Sequence, residues 1–507
     1  MTGFFARRWR RMPFSLRIFI AIQVLLVGSG IGWIGWRIYA QRVLLRISLA
    51  GGHVRGRETA ARWLPHWIAE DWMLRFEDVK EITFPSAWNA ADADEMLAAL
   101  PSLTSLEQLD LSRVPITAKG LANLKRLPNL RRLILSRTPI TDSDLANLNG
   151  LTNLSLLFID GTQVSDAGMV HVGSLTGLTV LDLNGTSIGD AGLLQLKGLT
   201  RLLSLDVGGT PITDLGLGYL KEMPSLRNLE LGERPIFDAA SQRLRRKSLE
   251  PSSSGGAQFT DAGLAHLKGM TILKSLDLRG KRISDAGLLH LIGLTRLDRL
   301  FIHDTAVTDA GLETLATTPS LFSLSLINSE ITGEGLTHLA ALVDLRVLEL
   351  EGAPVADSTL SQLGKLREVR WLSLRRASVT DAGMKSLAKM PKLQFLELSE
   401  TSITNGGLAE LRGALVLEFL TLRGTSVNDA GLANLQQLQR LGSLTLVGTQ
   451  FSDIGLQHVT GIVALRSLTL LGTHVTDAAV DELRRAKPAL YVRKFNPVTR
   501  DVKSAGD

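Results

Sequence analysis

The sequence contains no cysteine. Disulfides, thiolate metal sites and cysteine nucleophiles are therefore excluded together. The compartment is not, because a cysteine-free chain is tolerated on either side of a membrane. Aromatic residues are sparse, at 5% of 507 positions, and tyrosine occurs only three times. Seven of the eight tryptophans fall before residue 89, which leaves Trp371 alone in the remainder. A basic excess is missing from most of the chain. Of the formal net charge of +6, residues 1–62 carry +10, with eleven arginines against the single acid Glu58, and residues 63–507 carry −4. A body of that sign lacks the electrostatic footprint of a nucleic-acid binder, so no nucleic-acid partner is expected.

One uncharged apolar run stands out. Between Arg17 and Arg37 lie the nineteen residues "IFIAIQVLLVGSGIGWIGW", 18–36. As a helix they would span about 28 Å, close to the hydrocarbon core of a bilayer. Trp33 and Trp36 sit at one end, where interfacial aromatics belong. Arg37, Ile38 and Tyr39 follow, in place of the small residues a signal-peptide cleavage site needs. The expectation is a retained single-pass anchor in the lipid bilayer of the cell membrane. A basic tail, 1–17, precedes it, and a juxtamembrane and N-terminal cap region, 37–78, follows. Within that region "RWLPHWIAEDWMLRF" places Trp63, Trp67 and Trp72 together. It reads as a cap over the open end of a repeat stack, or as an amphipathic helix on the membrane surface. Five arginines precede the run and four follow within twenty residues. That small bias favours the C-terminal body outside the cytoplasm.

From about residue 79 to residue 490 the chain repeats one phrase. Asp142, Asp166, Asp190, Asp214 and Asp238 are spaced by 24, as are Asp261, Asp285 and Asp309, then Asp357 and Asp381, then Asp429, Asp453 and Asp477. Ala118, Gly333 and Asn405 hold the same slot. The unit reads x-x-L-x-L-x-G-T-x-[IV]-[ST]-D-A-G-L-x-x-L-x-x-L-x-x-L. Leu145, Leu148, Leu151 and Leu154 recur every three residues, which suits a short tight helix; Leu157 and Ile159 recur at two, which suits a strand. No single turn can bury its apolar side, but stacked neighbours share a continuous core.

This phrase resembles the leucine-rich repeat, L-x-x-L-x-L-x-x-N-x-L. The resemblance implies an α/β solenoid, a horseshoe with a parallel sheet on its concave face and short helices outside. Fifteen strand motifs run from Leu109–Leu111 to Leu468–Leu470. The slot usually holding Asn or Cys carries Thr138, Thr162, Thr186, Thr210, Thr305, Thr401, Thr425, Thr449 and Thr473, with Ser329 as a further hydroxyl. These read as a hydrogen-bond ladder toward the backbone of adjacent turns. The "ITDAGL" phrase is also similar to the cysteine-containing repeats attached to F-boxes. The lead "FSLR", Phe14–Arg17, with an apolar span ending in Gly-Trp, is similar to that of bacterial membrane-anchored leucine-rich-repeat proteins. One turn is degenerate: residues 239–258 lack the expected strand and carry the basic run Arg243, Arg245, Arg246 and Lys247. This loop is expected to divide the stack into six strands and nine. Residues 491–507 read as a C-terminal tail.

Chemistry is hard to find. Asp or Thr before a short apolar helix is the expected N-cap. Calcium solenoids use a shorter glycine-rich period. His171, His266, His290, His338 and His458 share one helix slot, and only His266 and His290 lie on adjacent turns, too few ligands for a metal. No phosphate loop or nucleophile elbow is present. No cofactor, metal or enzymatic activity is expected. The strand positions beside the core leucines are free of packing duty. One such column carries Asp182, Asp206, Glu230 and Asp277, then Glu349 and Glu397; another carries Trp371, Phe395 and Phe419 in succession. With Arg375 and Arg423 these residues are the candidate contacts for an unidentified protein partner. The function expected is a membrane-anchored interaction scaffold or receptor. A substrate-recognition subunit of an enzyme assembly and a structural envelope protein are the alternatives.

Overall fold

A computed structural model describes residues 46–48, 50–58, 76–232, 237–238, 243–244 and 258–495. The apolar run 18–36, the tryptophans Trp63, Trp67 and Trp72, Arg245 to Lys247 and residues 496–507 lie outside the described residues. Among the described residues no helix is long and apolar enough to cross a membrane.

Each turn follows the two spacings in the sequence. After an extended N-cap come one or two turns of α-helix, often tightening into a 3₁₀ turn, as in Asp261–Leu264 followed by Ala265–Leu267. The chain then returns into a short strand. The leucines of both parts are buried: Leu264, Leu267, Leu273, Leu276 and Leu278 are all fully inaccessible. One to three residues past most strands, a residue turns with positive φ. Glycine fills that place at Gly161, Gly185, Gly352 and Gly424, but Arg137, Asp304, Asn328, Arg376 and Glu400 also occupy it, at a steric cost of roughly 1–2 kcal/mol each.

The chain forms two units, Met1–Asp182 and Leu183–Asp507. In the first, β1 (His53–Glu58) pairs antiparallel with β2 (Phe76–Thr83). From β2 a parallel ladder continues through β3 (Gln108–Asp110), β4 (Arg132–Ile134), β5 (Leu156–Phe158) and β6 (Val180–Asp182). Residues 53–58 and 76–78, within the region expected to be juxtamembrane and cap, thus supply the closing strands of this ladder. In the second unit, β7 (Ser204–Asp206) and β8 (Asn228–Glu230) are parallel. The small antiparallel pair β9 (Phe237–Asp238) and β10 (Arg243–Leu244) stands apart from them. The ladder resumes with β11 (Ser275–Arg279), β12 (Arg299–His303), β13 (Ser323–Ser325), β14 (Val347–Glu349), β15 (Trp371–Ser373), β16 (Phe395–Glu397), β17 (Phe419–Arg423), β18 (Ser443–Val447) and β19 (Ser467–Leu471). It ends with β20 (Tyr491–Phe495), which pairs parallel with β19. The array therefore extends past residue 490, through residues that read as tail.

The degenerate turn does not divide the stack. β8 pairs directly with β11, Leu229 opposite Leu276, so the ladder runs on across it. Asp238 lies in β9 rather than in front of a helix.

The aspartate slot also differs from the capping role read from the sequence. The N-cap is the Ser or Thr before it, and the aspartate is the first helical residue. Its carboxylate reaches the next turn. Asp261 accepts the Ser284 N–H at 2.8 Å and its hydroxyl at 2.6 Å; Asp285 does the same for Thr308 at 2.9 and 2.6 Å. The glycine of "DAGL" makes room. A Cβ on Gly407 would lie 2.6 Å from Asp381 Oδ1, and one on Gly168 2.6 Å from Asp142 Oδ1. The threonine slot is corrected too. Where they bond, its hydroxyls donate within their own turn, Thr138 to the Leu135 carbonyl, Thr162 to Ile159 and Thr401 to Leu398, each at 2.6 Å; those of Thr305, Thr425 and Thr449 are buried without a partner among the described residues.

Replacing Gly407 with Ala is expected to cost about 1–3 kcal/mol by overpacking, read as a lower denaturant midpoint. Asp381→Ala should cost about 1–3 kcal/mol by stranding the Thr404 donors. The methyl added at 407 collides with the oxygen removed at 381. The double variant should therefore lose less than the summed singles by at least about 0.5 kcal/mol, and strict additivity would sink this coupling. Gly442→Ala, whose nearest atoms would lie 3.8 Å away, is the near-neutral control.

Candidate partner-binding surface

Parallel register puts equivalent positions of successive turns side by side. Trp371 stands opposite Phe395, and Phe395 opposite Phe419. The Trp371 and Phe395 rings stack at 3.6 Å between centroids, 8° from parallel; Phe395 and Phe419 follow at 5.8 Å and 29°. Phe395 is covered on both faces, while Trp371 is 39% and Phe419 43% exposed. The column continues backwards as Val347, opposite Trp371. The missing ring there leaves a cleft of about 360 Å³ lined by Phe322, Arg346, Val347, Arg370, Trp371, Gln394, Phe395, Glu418 and Phe419.

Phe322, Arg346 and Arg370 were not among the residues singled out from the sequence. They lie one position before the aromatic column, outside the L-x-L motif that was used to find exposed residues. Phe322 is 41% exposed, and the Arg346 guanidinium lies over its ring at 5.5 Å. Arg346 Nε is buried without a hydrogen-bond acceptor. Arg370 is exposed and makes no ion pair among the described residues. Gln394 donates to Glu418 at the far end of this lip, at 3.2 Å.

On the other side of the rings, Glu349, Ser373 and Glu397 are in register on three adjacent strands. Glu349 accepts the Ser325 hydroxyl at 2.7 Å, and Glu397 accepts the Ser399 N–H at 2.8 Å. Burial raises the Glu397 pKa above the ordinary carboxylate value, against the hydrogen bonds from Ser399. Arg375, expected to face a partner, is committed inside the protein. It holds Glu400 at 2.9 Å and Glu351 at 3.4 Å, and Arg376 holds Glu400 at 2.7 Å. Burial raises the Glu351 pKa, with Arg375 opposing. Glu400, hydrogen-bonded first by Arg376, is held low. Arg423 is exposed at the end of β17.

The acidic column of the first half is less available than its sequence suggests. Asp182 ends the ladder of the first unit and is 3% exposed. In the second unit Asp206 is 4% exposed and accepts the Gly208 N–H at 2.8 Å and the Asn184 amide at 3.1 Å. Glu230 and Asp277 are opposite one another on β8 and β11, and Asp277 lies 3.8 Å from Arg279. These acids serve the ends of their own strands at least as much as the solvent.

The five periodic histidines are half-buried or exposed along the helices. Among the described residues no group of three or more metal-ligating side chains comes together. A sixth histidine, His303, was not singled out, because it sits at a strand end rather than in the helix slot. It is 7% exposed, and its Nε2 lies 3.0 Å from Ser325 Oγ, which in turn donates to Glu349. Burial first and the Arg279 charge second depress its pKa to about 3.

Strand, helix and return, stacked in parallel with leucines inside, define an α/β solenoid. The leucine-rich repeat family profile matches residues 175–196. Solved structures with the same repeat architecture include an internalin of Listeria monocytogenes, InlF, at 20% identity over 80% of this chain and 95% of that one, TM-score 0.43. The leucine-rich repeat protein LIC12759 of Leptospira interrogans aligns at 18% identity over 80% and 98%, TM-score 0.46. TLR13, in a complex with ssRNA13, aligns at 21% over 80% and 55%, TM-score 0.51. Among curated proteins no sequence relative matches. The fold of the chain is that of a leucine-rich repeat array.

The His303 environment gives a pH signature. The folded state refuses a proton that the unfolded chain accepts near the ordinary value of 6.5. Stability should therefore fall as the pH drops from about 6.5 toward about 3. His303→Gln should flatten the stability–pH slope in that window by up to one proton, measured by denaturant titration. An unchanged slope would mean that His303 charges freely in the folded protein.

Proposed function

We propose that this chain is a non-enzymatic interaction scaffold or receptor, anchored in the cell membrane by residues 18–36. Its repeat array lies on the extracytoplasmic side and binds a protein partner through the sheet face around Trp371, Phe395 and Phe419. The observation that carries the partner site is the aromatic cleft. In a chain with 5% aromatic residues, three fall on adjacent strands of one sheet face, and two of them are more than a third exposed. Exposed rings beside charged groups have the composition of an interface hot spot with its rim. The leucine-rich repeat fold supports the scaffold reading, since stacked repeats offer extended binding surfaces. The anchor rests on the length and apolarity of residues 18–36 and the flanking arginines. Nothing in the cleft brings together a nucleophile, a base and an oxyanion donor.

Two experiments test this reading. Deleting residues 18–36 should move the protein from the membrane fraction to the soluble fraction, and protease added to intact cells should degrade the array. Full protection of the array would reverse the orientation. A photo-crosslinking residue in place of Phe419 should yield one discrete adduct in living cells, lost when Trp371 is also changed to Ala. If adducts arise equally from a probe at exposed Leu215, far along the array, the aromatic column is only scaffolding. A recurrent enzyme among the adducts would favour the substrate-recognition alternative.

A further inference from the structure

Two unlike rows of charge flank the aromatic column, and one of them lines the cleft. Before the aromatic column stand Arg346, with its buried, acceptorless Nε, and exposed Arg370. Glu368, whose carboxyl feels both arginines, is already closed by Lys392 at 2.6 Å from each oxygen. After the column stand Glu349 and Glu397, neither of them in an ion pair among the described residues. Arg375, whose charge acts on Glu397, is held by Glu351 and Glu400. The sheet face is therefore apolar along the aromatic column, cationic at the cleft side through Arg346 and Arg370, and anionic two residues further along the strands at Glu349 and Glu397, outside the lining of the cleft itself.

From this arrangement we infer that the occupant of this face is an amphipathic helix of the partner protein, with carboxylates on one flank of its apolar stripe and lysine or arginine on the other. The inference rests on the partner site proposed above. The two rows are three residues apart along a strand, about 10 Å, which matches the diameter of a helix with its side chains. The floor from Val347 to Phe419 spans three strand spacings, about 14 Å. Roughly nine helical residues cover that length and present anchors at i, i+4 and i+7. The site makes three demands at once: apolar groups downward, acids to one side, bases to the other. A strand sends its side chains in only two directions, whereas a helix distributes them around its axis. The acidic flank faces the half of the row formed by Arg346 and Arg370, since Gln394 and Glu418 occupy the other half.

The test is selection of displayed peptides of eighteen residues, randomised at every position, on the full-length protein, with binders to a Trp371→Ala/Phe419→Ala variant removed. Enriched peptides should show apolar residues with helical spacing, Asp or Glu on one flank and Lys or Arg on the other. A selected peptide should lose at least tenfold in affinity on Arg370→Glu, and recover when its facing acid is changed to Lys. Arg370 is exposed, so this variant should fold normally. Enrichment of an alternating pattern, insertion of proline without loss, or indifference to Arg370→Glu would overturn the helix. If one of these occurs while the Phe419 crosslink still forms, the partner site stands and only its occupant is wrong. If the crosslink fails as well, both readings fall.

Discussion

The carboxylate of one turn accepting the N–H and hydroxyl of the next turn's N-cap is the contact on which the array depends. Two orphan donors at the start of each short helix are satisfied by a neighbour rather than by the helix itself. The approach is close, and glycine stands three residues after most of the N-caps held this way, although the last turn keeps both hydrogen bonds from Thr476 to Asp453 with Ala479 in that place. Asp and Ser or Thr, usually with Gly, are thus one device written across two turns. Replacements of the aspartate are matched at the next N-cap. Where Ala118 replaces the aspartate, the following N-cap Thr141 receives its acceptor from its own Asp144, at 2.9 Å. Where Gly333 replaces it, the following N-cap is Ala356, with no hydroxyl to satisfy. Where Asn405 replaces it, the N-cap becomes Asn428. Asn405 then accepts the Asn428 N–H at 3.0 Å and donates its own amide to Asn428 Oδ1 at 2.7 Å. The same constraint holds across the degenerate turn: Asp214 holds Thr260, 46 residues away, at 2.7 and 2.8 Å.

This explains what could be read from the chain and what could not. The leucine spacings specify burial, and burial specifies strand and helix, so the repeat and its parallel ladder were legible. The aspartate period was equally plain, but its meaning was not. A one-dimensional reading assigns a polar residue before a helix to that helix, and the true partner lies 23 positions on. The threonine hydroxyls misled in the opposite sense, bonding backwards by three residues where a neighbouring turn was expected. The broken turn was expected to divide the stack, and it does not. Sequence order suggests a break wherever a strand is missing, whereas β8 needs only the next strand to present Leu276 opposite Leu229.

At the candidate surface the aromatic column was legible because register in a 24-residue repeat follows from arithmetic. The cleft was not. Its walls include Phe322, Arg346 and Arg370, which precede the strands proper, and its volume comes from Val347 being smaller than a ring. Nor could the sequence separate acids that face solvent from acids that finish a strand. Asp206 and Glu397 occupy the same column and both accept a backbone N–H two residues on. Only three-dimensional burial distinguishes Asp206 from the half-buried glutamate beside the rings.

The charge on that column depends on strain stored next to it. Arg376 and Glu400 sit at φ of 57° and 58°, where glycine fills other turns at lower cost. They are held there by ion pairs. Glu400 takes both Arg375 and Arg376, and Glu351 takes the remaining reach of Arg375. A half-exposed pair of this kind adds little stability by itself, so its geometry matters more than its strength. It turns the guanidinium of Arg375 toward Glu400 and Glu351. With a glycine at position 400, Arg375 would lose its closest carboxylate and be freed to neutralise Glu397, a carboxylate already under a burial penalty. The strained turn thereby keeps the acidic row anionic, and the polarity of this face is set by backbone conformation three residues beyond the strands.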